Sequence, residues 1–261
     1  MTSTGSAGKE TPELHIDPMH QFEIFNIFGD SVERFSFTNA SLWMFISVIL
    51  AFFVFVVGTR GRSLIPSRAQ AVPEIFFEFV YNMVKDICGE KGIRFFPYIF
   101  TLFVFILFCN VQGMVPYAFT VTSHLAVTGF LALTVFVTVT VIGFVQHGVA
   151  FLGFFVPKDA PLLLKPILGV IELISYFVRP ISHSVRLGAN MMAGHAMLKV
   201  FAGFATAVGI YGLSGSTIAV SLMSSVMMVG VVALEFLVAF LQAYVFAILT
   251  CIYLNDALHM H

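Results

Sequence analysis

Residues 40–59 read ASLWMFISVILAFFVFVVGT, twenty consecutive positions without a charged side chain. At about 1.5 Å per residue, a helix of that length covers the roughly 30 Å hydrocarbon layer of a bilayer. One membrane crossing follows from this stretch, and composition extends the conclusion to the chain. Of 261 residues, 59% are hydrophobic and only 10% charged, where a soluble domain carries about 25% charge. A net charge of −1 excludes an electrostatic nucleic-acid binder.

The chain divides into a polar N-terminal arm, 1–39, and a single integral-membrane domain, 40–261. The arm sets six carboxylates against Lys9 and Arg34. It lacks the apolar core of a signal peptide and the arginine richness of an organellar transit peptide, so insertion is expected through the first apolar segment. Residues 60–94 hold six Lys or Arg. Between Pro73 and Cys88 the apolar positions alternate with Glu74, Glu78, Lys85 and Asp86 at helical spacing, which predicts an amphipathic helix on the membrane surface. Phe95 to about Val111 predicts a second crossing, and roughly Thr120 to Gln146 a third.

Two longer apolar tracts, 167–206 and 217–254, flank AVGIYGLSGS, whose glycines and serines predict a turn. As continuous helices each would reach about 57–60 Å, twice the bilayer core. Each is therefore either one strongly inclined helix or a pair of pieces broken at Pro180 and Gly230. With five crossings, the basic residues of 60–94 and Lys158 and Lys165 place 60–94, 148–166 and the C-terminus on the cytoplasmic or matrix side. The N-terminus then lies outside. Cys88, Cys109 and Cys251 have no CxxC or His pairing and read as packing residues, so neither a metal nor a cofactor is expected.

Ionisable residues break the apolar pattern of the last two tracts: Glu172, Arg179, Arg186, His195, Lys199 and Glu235, with Asp256 closing the second. Charge at membrane depth is costly and marks an ion pathway or a partner site. At about 100° per residue, Glu172 and Arg186 lie within roughly 40° of one face, with Asn190 one turn beyond Arg186. His195 is rotated about 180° from Arg186 and addresses a different neighbour. On the last tract Glu235 and Gln242 share a face, and Asp256 lies about 31 Å beyond Glu235. Taken singly, Arg179 and Lys199 read as side chains snorkelling to an interface. Taken together, the charged residues read as functional.

These residues carry a family resemblance. PISHSVRLGANMMAGH (180–195) and EFLVAFLQAYVFAIL (235–249) resemble subunit a of F-type ATP synthase, as do NVQGMVP (110–116) and, for its alphaproteobacterial and mitochondrial branch, DPMHQFEI (17–24). The resemblance implies an all-α integral membrane stator of about five crossing helices plus one surface amphipathic helix, the last two long and inclined. It implies a partner c-ring of hairpin subunits bearing carboxyl groups, peripheral-stalk b-type subunits, and two offset half-channels for protons. It places Arg186 opposite the ring carboxylate, His195, Glu235, Asn190 and Gln242 on the outer path, and Glu172 and Asp256 on the inner path. The setting implied is a bacterial inner membrane or, alternatively, the mitochondrial inner membrane. The sequence departs from many members in carrying His183 near the arginine and LGAN after it.

The chemistry fits those residue types. A guanidinium stays protonated in any protein setting, so Arg186 can attract an ionised carboxylate without passing a proton on. A histidine and a glutamate can exchange protons near neutral pH. The competing reading, a self-contained secondary transporter, predicts internal repeats, and none is evident. An intramembrane hydrolase would need an HExxH motif or a nucleophile beside a base, and neither is recognisable.

Overall fold

The computed structural model describes residues 22–27, 37–60, 68–115, 118–155, 164–206, 211–212 and 214–259. Most of the N-terminal arm and Lys158 fall outside these. The described chain is helical: α1 (Asn39–Phe52), α2 (Arg68–Gly92), α3 (Phe96–Gly113), α4 (Leu125–His147), α5 (Lys165–Ala205) and α6 (Gly215–Leu258). Four helical stretches are long and apolar enough to cross a membrane: Asn39–Val57, Gln70–Gly113, Leu125–His147 and Gly215–Leu258. The 41-residue α5 has the length for a fifth, with Glu172, Arg179, Arg186 and Lys199 interrupting its apolar surface.

Both long tracts form single helices. Helix α5 carries Pro180 in its interior, where the ring removes one i→i−4 hydrogen bond at a cost of about 3 kcal/mol in an exposed helix. Membrane helices tolerate this because neighbours re-satisfy the freed group. Helix α6 runs 44 residues through Gly230. A glycine weakens a helix by about 1 kcal/mol in water but does not interrupt its hydrogen bonds, so the long apolar run prevails.

Helix α1 begins at a capping box: Thr38 Oγ1 accepts from the Ser41 amide, and Ser41 Oγ accepts from the Thr38 amide at 2.9 Å. Two donors that a helix start leaves unpaired are thereby satisfied. Helix α2 is kinked near its end at Gly89, at φ 64° and ψ −167°, a conformation costly for any residue with a Cβ. Its amphipathic pattern is resolved by packing. Val80, Met83, Val84 and Cys88 are buried in the main core with Ile99, Phe103 and Leu107 of α3 and Phe246, Cys251 and Leu254 of α6.

The chain forms two compact units, one of Phe22–Met192 with Phe236–His261, the other containing Ala193–Glu235. In the first, the polar residues of NVQGMVP are spent between helices. Asn110, fully buried, donates from Nδ2 to the Ala239 carbonyl at 3.0 Å and accepts from Thr122 Oγ1 at 2.8 Å. Gln112 donates to the Trp43 carbonyl at 3.1 Å and accepts from Ser47 Oγ at 2.8 Å. With no water to compete, such bonds fix which helices pair. In the second unit, Ser221 Oγ donates to the Ala205 carbonyl, tying α5 to α6. The three cysteines are buried and unbridged, as packing residues should be.

Candidate functional site

Three groupings of polar side chains stand out on α5 and α6. The first lies within the Ala193–Glu235 unit. His195, 7% exposed, points Nδ1 at Glu235 Oε1, 3.1 Å away, with Glu235 4% exposed. Neither carboxylate oxygen has a partner in hydrogen-bond geometry, nor has His195 Nε2, among the described residues. Burying such groups without partners is expensive. Gly194 makes the room: a Cβ there would stand 2.9 Å from Glu235 Oε1 and 3.2 Å from its carboxyl carbon.

The second grouping belongs to the other unit. Arg179 reaches Glu172 Oε1 at 3.6 Å and Asp256 Oδ2 at 3.1 Å, a charged triad joining α5 to α6. Its guanidinium also lies 5.7 Å from the Tyr176 ring centre and 5.2 Å from that of Tyr253, within cation–π range. Expected from the sequence to reach an interface, Arg179 instead turns inward to two carboxylates. The seven-residue spacing of Glu172 and Arg179, two helical turns on one face, was the available signal. Asp256 on the partner helix could not be matched to it without the packing.

The third is Arg186 itself. It is exposed, and among the described residues it has no ion pair or hydrogen bond. Around it the surface is apolar, with Ile181 61%, Val185 44% and Phe177 55% exposed. Asn190 is exposed beside it, while Gln242 is half-buried on α6. The opposite edge of this stretch is packed. His183, Ser184 and Leu187 are buried, Ser184 Oγ lies 3.2 Å from Thr128 Oγ1, and a Cβ on Gly188 would sit 3.1 Å from that same hydroxyl. The glycine of LGAN thus lets α5 lie close on α4 and fixes the rotation that turns Arg186 outward.

The sequence therefore folds into a multi-pass helical membrane protein with ionisable side chains held at membrane depth, the class to which ion-translocating subunits belong. Residues 41–255 match the family described as ATP synthase A chain. ATP synthase subunit a of Dinoroseobacter shibae is 53% identical over 256 residues, covering 98% of this chain and 99% of that one. The subunit a of Parvibaculum lavamentivorans is 53% identical over 252 residues, 94% of each chain, and that of Pelagibacter ubique 51% identical over 253 residues, 94% of this chain and 98% of that one. The chain belongs to the ATP synthase A chain family. It is a multi-pass protein of the bacterial inner membrane and a proton-translocating component of the membrane sector of ATP synthase, working in complex with other subunits.

Proposed function

We propose that this chain is the stator against which a ring of carboxylate-bearing c subunits turns, with b-type peripheral-stalk subunits holding it still. Protons enter an outer half-channel through Glu235 and His195, with Asn190 and Gln242 lining the approach, and load a ring carboxyl. After the ring has turned, they leave past Glu172 and Asp256 on the inner side. The chain holds no catalytic site and no cofactor of its own; ATP chemistry lies on other subunits.

The observation carrying this reading is the exposed Arg186 with no counter-ion among the described residues. A bare arginine at the bilayer centre costs about 2.5–3.5 kcal/mol on insertion scales. An opposing carboxylate about 4 Å away returns about 4 kcal/mol at an effective dielectric of 20. An acid on a partner therefore offsets the penalty, and the attraction is weak enough to yield to torque. Arg179 fits the inner path as the group that holds Glu172 and Asp256 together.

Val185, exposed and adjacent to Arg186, reports on what passes. In the assembled complex, a cysteine-reactive cross-linker on Val185→Cys is expected to capture a small proteolipid subunit. Adducts confined to this chain or to lipid would remove the rotor from that face.

Gly194 supplies a second test. Gly194→Val drives a side chain into the space of the Glu235 carboxyl and is expected to lower proton conduction per assembled complex by about tenfold, since roughly 1 Å of misplacement can cost that much or more. Conduction at the wild-type rate would mean that the position of Glu235 does not matter.

A further inference from the structure

At the C-terminal end of α1, where its apolar span stops at Val57, a groove of about 410 Å³ opens between α1, α2 and α3. That volume suits a small organic group. Three rings line it, Phe55, Phe77 and Phe100, together with Thr59, Glu74 and Glu78. Phe100 stands edge-on to the other two, with ring centres 5.3 Å from Phe55 and 5.9 Å from Phe77.

The groove has local causes. Residues Phe53–Val57 continue α1 as a π-helical turn, a rare conformation that frequently marks functional sites. Thr59 Oγ1 donates to the Phe55 carbonyl at 2.6 Å, holding the end of that turn. On α2, Glu74, Phe77 and Glu78 are spaced i, i+3, i+4 and share a face. Gln70, 7% exposed, donates from Nε2 to Glu74 Oε1 at 2.6 Å, so a buried side chain fixes that carboxylate.

Charge identifies the occupant. Glu74 and Glu78 are exposed, and neither has an ion pair among the described residues. Aromatic faces also attract cations, so the rings and the acids select the same kind of group. A primary ammonium suits them better than a quaternary one, because its three N–H donors match carboxylate oxygens. Arg60, exposed, directly follows Thr59 and supplies a positive charge for a phosphate next to that ammonium. Phe53, Val56 and Ile75 are exposed apolar residues of the same two helices, a surface for acyl chains. Ammonium, phosphate and hydrocarbon together describe one class of molecule.

We propose that this groove binds a phosphatidylethanolamine, its ammonium held by Glu74, Glu78 and the three rings and its phosphate by Arg60. The bound lipid ties the end of α1 to the α2–α3 pair at headgroup level. The site shares no residue with the ionisable groups of α5 and α6 and does not rest on the proton path.

The test uses the whole ATP synthase complex in vesicles of equal parts phosphatidylethanolamine and phosphatidylglycerol. One lipid at a time carries a photoreactive acyl chain, and adducts on peptides of α1 to α3 are measured by mass spectrometry. Phosphatidylethanolamine is expected to label these peptides about tenfold more than phosphatidylglycerol. The preference should fall to near parity in the double variant Glu74→Gln, Glu78→Gln, and by about threefold in Phe77→Leu. Equal labelling by the two lipids in the wild type overturns the proposal, as does an unchanged preference in the double variant. A water-soluble carbodiimide, which joins a carboxyl to a primary amine without a spacer, adds a second readout. An amide between Glu74 or Glu78 and phosphatidylethanolamine supports the site; an amide to a lysine of another subunit gives the groove to a protein partner and overturns it. Should the double variant fail to assemble, the wild-type lipid preference and the carbodiimide product decide. None of these readouts involves proton movement, so their failure leaves the proposed function standing, and intact coupling in Arg186→Ala leaves this site standing.

Discussion

Arg186→Ala is expected to abolish proton-driven ATP synthesis, by at least about a hundredfold per assembled complex. The side chain is exposed and unpaired within the described residues, so its removal breaks no contact inside the fold and assembly should survive. On the proposed function, what disappears is the fixed charge that favours an ionised ring carboxyl at one point of the rotation, and with it the barrier between the two proposed half-channels. Vesicles carrying the variant should leak protons without making ATP. Arg186→Lys should restore the charge only in part, because an ammonium is more strongly hydrated, can lose its proton, and cannot present a planar fork to a carboxylate. ATP synthesis in inverted vesicles, alongside a passive proton-permeability assay, checks both effects. Full coupling in Arg186→Ala would remove the arginine from the mechanism.

Glu235→Gln should slow proton movement about tenfold or more, through loss of a group that can take up and release a proton. Glutamine matches glutamate in size, Gly194 provides the same space, and an amide beside His195 is no harder to bury than a carboxylate lacking a hydrogen-bond partner. The complex should accordingly assemble in normal amount, which separates lost conduction from lost protein. Conduction per complex, followed as a function of external pH, is the readout. An unchanged rate and profile would take Glu235 out of the outer path and leave His195 as the entry group.

Much of this organisation was readable in the residues. Uncharged runs of bilayer length marked α1, α3 and α4, and the alternation of charge and apolar positions between Pro73 and Cys88 marked α2. Whether α5 and α6 were continuous was not readable, because Pro180 and Gly230 are breakers in water and tolerated inside a packed membrane bundle. The groups of the candidate site were visible as charges where lipid should be. Their pairing was only half visible. Family resemblance put His195 and Glu235 together, and they lie 3.1 Å apart, whereas the inward turn of Arg179 depends on Asp256, 77 positions away, and no local pattern encodes that contact. Asn110 and Gln112 looked like part of a motif; their work is to join helices, which sequence spacing within α3 does not reveal.

The central claim is that Arg186 is held out toward an acid on another, moving polypeptide. A density map of the intact complex in a lipid environment tests it most directly, at a resolution that places the guanidinium and its neighbours. The expected result is a ring of helical hairpins beside α5, with a carboxyl group of that ring passing within about 4 Å of Arg186 or meeting it through one water. A guanidinium turned back onto carboxylates of its own chain, or facing only lipid with no ring alongside, would contradict it.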